Sequence, residues 1–101
     1  PLLVFDEIDA GVGGHTARAV GSHLRELARH RQILCITHLP QVAALAERHF
    51  TIVKDSSATP ARTSVELLRG DGVVGELVRM LGAGDADRAA RQHARQLLKA
   101  A

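Results

Sequence analysis

The sequence contains no Trp and no Tyr, and only two Phe, Phe5 and Phe50. Platforms that stack the bases of single-stranded nucleic acid are built from such rings, so stacking is excluded as a main mode of binding. Cys35 is the single cysteine. That excludes an internal disulfide framework and any zinc site built on a Cys pair, and it fits a reducing compartment. No apolar run approaches the roughly 20 residues that a membrane helix needs. The opening Pro1-Leu2-Leu3-Val4-Phe5 has no basic flank and meets Asp6-Glu7 at once, unlike a signal peptide. A dominant charge is missing too. Lys+Arg number 13 against 11 Asp+Glu, and a net charge of +2 argues against a dedicated nucleic-acid coat despite a pI of 9.4.

What is present is an ordinary apolar fraction of 46% in 101 residues, supplied by Ala, Leu, Val and Ile. A compact domain of this mass has a surface of roughly 5,500 Å² against roughly 15,700 Å² unfolded, enough for one modest core. The chain begins directly in an apolar, strand-like run, where domains usually have a polar lead-in, and so reads as a piece of something longer.

The pattern along the chain alternates. Leu2 to Phe5 and Ile33 to Ile36 are short, continuously apolar runs, the signature of strands covered on both faces of a parallel sheet. Between them, Ala17, Val20, Leu24, Leu27 and Ala28 fall at helical spacing, after a breaker at Gly11-Val12-Gly13-Gly14. Pro40 suits a first helical turn, and Val42, Ala43, Leu45 and Ala46 give that helix an apolar face. Strand, helix, strand, helix predicts parallel strands joined by a right-handed crossover helix, an α/β fold. Phe50 to Lys54 and Thr63 to Leu68 flank a polar loop and predict an antiparallel hairpin. Two helices follow. The first runs from Val73 to Leu81 and is stopped by Gly82; the second is capped by Asp85, with a stripe of Ala86, Ala89, Ala90, His93, Ala94, Leu97 and Leu98. In that stripe His93 is expected to be a hydrogen-bonded core or interface residue.

Chemistry gathers at the strand ends. Asp6, Glu7 and Asp9 follow the carboxyl end of the first strand, where open α/β sheets bind ligands. A carboxylate there can hold Mg²⁺ directly or through water, and a second can orient and deprotonate a water for attack on a phosphate. The second strand ends in Thr37-His38 at the same edge, if the strands are parallel neighbours. A histidine there can touch a phosphate oxygen or the attacking water, or it can simply cap the helix that Pro40 begins. The other histidines do not form a metal centre. His15, His23 and His30 are eight and seven residues apart on one helix, about 10–12 Å along its axis. The serines lack a G-x-S-x-G elbow, and Cys35 lies mid-strand, where burial keeps a thiol inert. Arg88, Arg91, Arg95 and Lys99 line one side of the last helix, either as a solvated face or as contacts to a nucleic-acid backbone.

These residues carry a resemblance. Leu2-Leu3-Val4-Phe5-Asp6-Glu7 resembles the Walker B strand of an ABC-type ATPase, Ile8-Asp9-Ala10-Gly11-Val12-Gly13-Gly14 the D-loop, and Thr37-His38 the switch-histidine H-loop. The wording from Phe5 to Gly14 and from Ile36 to Ala43, with Glu76 to Leu81 and His93 to Leu98, is similar to the RecN family of SMC-like bacterial DNA repair ATPases. The resemblance implies the C-terminal lobe of a P-loop NTPase head over residues 1–101. It implies an ATP site with Mg²⁺ on Asp6, a hydrolytic water polarised by Glu7, and a γ-phosphate contact from His38. Asp6 and Thr37 would line the nucleotide, and Asp9, Gly11, Gly13 and Gly14 would reach across it to a second head in an ATP-sandwiched homodimer. The implied partners are the Walker A part of the same head, that second head, and DNA through the full-length protein, with no membrane. The implied place is the bacterial cytoplasm, associated with the nucleoid. Three expected parts are missing from the 101 residues: a G-x-x-x-x-G-K-S/T phosphate cradle, a Gly-Gly-Gln signature loop and coiled-coil heptads. The family fold implies that the P-loop strand lies between the second strand and the hairpin, so the segment alone is expected neither to bind ATP tightly nor to hydrolyse it. Two alternatives remain: a head from another SMC or ABC-type ATPase, and a non-catalytic interaction module that uses the basic last helix.

Overall fold

The structure is a computed structural model that describes residues 2–6, 14–84 and 86–101. Strand β1 (Leu2–Asp6) and strand β2 (Gln32–Ile36) pair in parallel, with Leu2 opposite Gln32 and Asp6 opposite Ile36. Helix α1 (Gly14–Leu27) makes the crossover between them. Helix α2 (Pro40–Ala43) is a single turn. Strands β3 (His49–Asp55) and β4 (Arg62–Leu68) form the antiparallel hairpin, and helices α3 (Asp71–Met80) and α4 (Arg88–Lys99) complete the chain. The element order is the expected one. Among the described residues, no helix is long and apolar enough to cross a membrane.

Local chemistry accounts for the helix ends. Gly82 takes a positive φ of 78° after α3. Its N–H donates to the Arg79 carbonyl at 3.0 Å and the Ala83 N–H to the Val78 carbonyl at 3.2 Å. That is a Schellman closure, and glycine enters the left-handed region without a Cβ clash. Helix α4 is capped by Asp87, whose carboxylate accepts the Ala90 N–H at 3.0 Å. The cap therefore lies two residues later than the Asp85 expected from the sequence; Asp85 itself falls outside the described residues. Gly21 is needed for a close approach. A Cβ there would stand 2.5 Å from Leu45 Cδ1, so α1 and α2 pack almost backbone to backbone.

Two apolar clusters hold the chain together. Ala17, Leu24 and Val42 are buried with Phe5, Val20, Ile33, Cys35 and Leu39 packed on them, joining α1 to one face of β1–β2. Ala44, Val74, Leu77, Val78 and Ala94 form the other, where Leu77 and Val78 are fully enclosed between α3 and α4.

The strands depart from expectation in one respect. β1 and β2 are covered on one face only, and Leu2, Val4, Leu34 and Ile36 are exposed on the other. The hairpin does the same. The facing cross-strand pairs Phe50–Leu67 and Ile52–Val65 are 55% and 41%, and 68% and 64%, exposed. β2 and β3 belong to separate two-stranded sheets. The total surface is 7225 Å², roughly 1,700 Å² above that of a compact domain of this mass. The radius of gyration, 14.3 Å, likewise exceeds the about 13 Å of a compact 100-residue domain.

Candidate functional site

The parallel register sets the candidate site. Asp6, the last residue of β1, stands opposite Ile36, the last residue of β2, so the chain leaves both strands at one carboxyl edge. Asp6 is exposed there. Thr37 and His38 follow β2 directly. The Thr37 hydroxyl oxygen accepts the Leu39 N–H at 3.0 Å and so shapes the turn into α2. This decides one question about His38. The N-cap of α2 is Leu39, with no side-chain cap, so His38 is not its cap. The His38 side chain is exposed at the strand end, on the same edge as Asp6. Gly14 opens α1, the element that returns from this edge. Glu7, Asp9, Gly11 and Gly13 lie outside the described residues.

An exposed carboxylate at the end of a buried-side strand is a hard oxygen donor of the kind Mg²⁺ takes alongside several waters, so Asp6 fits a Mg²⁺ ligand. Among the described residues, no group of three His, Cys, Asp or Glu could hold a metal by itself.

Several features away from this edge emerge only from the coordinates. His49, half-buried at the start of β3, has its pKa pushed below the ordinary value by burial, against a hydrogen bond to the Ala46 carbonyl and the nearby Glu76 charge. Glu76 pairs with Arg79 one turn on, and the Arg79 Nε lies 3.1 Å from each carboxylate oxygen. Gln41 Oε1 is buried with no hydrogen-bond partner and lines a crevice of about 20 Å³ with Arg18, Leu45, Leu97, Ala100 and Ala101. That is room for about one water, not for a substrate. On α4, Arg91 is mostly buried and bonds Asp71 of α3 at 2.6 Å, while Arg88, Arg95 and Lys99 are exposed. His93, expected in the core or an interface, is exposed.

No protein-family model matches the chain. Among solved structures, one described as "Structural biochemistry of ATP-driven dimerization and DNA stimulated activation of SMC ATPases" superposes with a TM-score of 0.63 at 21% identity. The superposition covers 71% of this chain and 42% of that one. Most of the chain thus shares the fold of part of that SMC ATPase structure. The sequence is more specific. It is 45% identical over 98 residues to the DNA repair protein RecN of Treponema pallidum and 45% over 101 residues to that of Streptomyces coelicolor. It is 49% identical over 100 residues to that of Mycobacterium leprae. These matches cover 97%, 100% and 98% of this chain but only 17%, 18% and 16% of the relatives. The chain is RecN-like along nearly its whole length.

Proposed function

We propose that residues 1–101 form the C-terminal lobe of the ATPase head of a RecN-like DNA double-strand-break repair protein. In this reading they supply the Mg²⁺ ligand, the catalytic carboxylate and the switch histidine of its ATP site. The observation that carries this reading is the parallel register, which sets Asp6 and the Thr37-His38 turn on one sheet edge. Bound Mg²⁺ would neutralise charge on the phosphate oxygens. Asp6 holds the ion directly or through water. Glu7, next in the chain, orients the attacking water and draws its proton. His38 meets the γ-phosphate, on a turn that the Thr37 hydroxyl fixes. Asp9, Gly11, Gly13 and Gly14 reach a second head across the nucleotide, where glycine lets backbone pass close to another chain.

The partners follow from what is uncovered. The exposed apolar faces of both sheets and the separation of β2 from β3 fit a head whose P-loop strand and covering helices complete the fold. The roughly 1,700 Å² of excess surface on this one chain is about twice the 800 Å² that each partner buries in a standard interface, as fits a segment covered by the rest of its own fold. ATP hydrolysis therefore belongs to the whole head and its homodimer in the bacterial cytoplasm, acting on nucleoid DNA.

The experiment is turnover in the full-length protein. Glu7→Gln is expected to retain ATP binding, slow hydrolysis by 10²-fold or more, roughly the scale of a lost general base, and favour the ATP-bound dimer. His38→Ala lowers turnover while the melting temperature stays put. Unchanged turnover in Glu7→Gln removes Glu7 from this role.

A further inference from the structure

On α4, Arg88, Gln92, Arg95 and Lys99 follow one another at i, i+4, i+7 and i+11, a single stripe along the helix about 16 Å long. The other side of the helix is already occupied. Ala94 is fully buried, and Ala90, Leu97 and Leu98 pack into the α3 cluster. We infer that this outer stripe of α4 is a docking surface for the phosphate backbone of duplex DNA, with Arg88, Arg95 and Lys99 as its three cationic contacts. The identity of the polyanion rests on the proposed repair role; the surface rests on the geometry.

Among the described residues, Arg88, Arg95 and Lys99 form no ion pair. Helix α4 contains no acid. Two acids beside it are already engaged: Asp87 caps the helix through the Ala90 N–H, and Asp71 is bound by Arg91. That ion pair holds Arg91 off the stripe, so three of the four basic residues of the helix point to solvent.

Three features choose the partner. A duplex presents about one phosphate charge per 1.7 Å of axis, so a 16 Å cationic stripe spans several phosphates. A membrane surface would need the apolar side of the helix to be available, and that side lies in the core. Single-stranded nucleic acid would be held by stacked rings, but α4 has none: Phe5 packs against α1 and Phe50 lies on the hairpin. Contacts of this kind read no sequence and bind any duplex alike.

The test is binding of a fluorescent duplex by the full-length protein across a salt series, for wild type and for a triple variant Arg88→Gln, Arg95→Gln, Lys99→Gln. Three lost phosphate contacts lower the slope of log K against log salt by about 2.7, and affinity falls roughly 10²-fold near physiological salt, equally for unrelated sequences. A second triple variant at exposed residues of the α1 end, Arg25→Gln, Arg29→Gln, Arg31→Gln, removes the same charge and leaves the slope unchanged. An unchanged slope in the α4 variant overturns the inference. So does an equal fall in both variants, or loss of binding to anionic-lipid vesicles with DNA binding intact. ATP turnover without DNA stays at the wild-type rate in the α4 variant, whereas failure of the ATPase reading appears as absent turnover in the wild type.

Discussion

If the rest of a head covers the hairpin, Ile52 offers a sharp test. Its side chain is 68% exposed and faces Val65, itself 64% exposed. Ile52→Thr keeps the β-branch that strands favour, so propensity is nearly unchanged. It removes two carbons, worth about 0.8 kcal/mol each when buried. It also adds a hydroxyl, which costs about 1–3 kcal/mol if buried without a partner. Under a cover the sum is about 3–5 kcal/mol; in solvent, a surface substitution stays within about 0.5 kcal/mol. For a domain of 150–250 residues, about 2–4 °C of melting temperature is lost per kcal/mol, so the covered case predicts a fall of roughly 6 to 20 °C. The assay is calorimetric melting of the full-length protein and its variant. A variant that melts within about 2 °C of wild type shows a solvent-facing hairpin and refutes the covering head, since the exposed case costs only about 0.5 kcal/mol.

Further outcomes are expected. Gly82→Ala forces a Cβ into the left-handed region that closes α3, and destabilises the protein by about 1 kcal/mol in denaturant unfolding, with the slope unchanged. His49 has a folded pKa below its ordinary value because burial disfavours the charged ring. The unfolded chain therefore binds more protons between the two values, and stability is complete above the ordinary histidine range and is lost as pH falls through it. His49→Gln flattens that part of the melting-temperature profile, and a profile identical to wild type refutes the assignment.

The fold was largely legible because each element carries its own periodicity. The α1 residues Ala17, Val20 and Leu24 repeat at helical spacing and are the ones that pack. The hairpin was legible from two alternating runs around a polar loop. Two-sided covering of β1 and β2 was not realised: the described elements pack on one face only, so exposed and half-buried residues alternate along both strands. The start of α4 was misplaced because Asp85 and Asp87 are both competent caps, and only the bond to the Ala90 N–H chooses between them. His93 falls outside the core because the apolar stripe was drawn too wide. Ala94 lies at the centre of the buried arc and His93 about 100° away from it. At the candidate site, the shared edge of Asp6 and His38 was legible from the parallel pattern. That Thr37, rather than His38, engages the turn required coordinates, since either side chain suits that place.

Helix α2 has four residues and two attachments. Leu39, just before it, and Val42 sit in the cluster beneath β1–β2, while Ala43 and Ala44 sit in the cluster that holds α3 and α4. So short a helix has no length over which to bend, and close-packed neighbours transmit displacement rather than absorb it. The turn that carries His38 is thus seated, through α2, on both apolar clusters at once, so the strand edge and the platform of α4 share one short support.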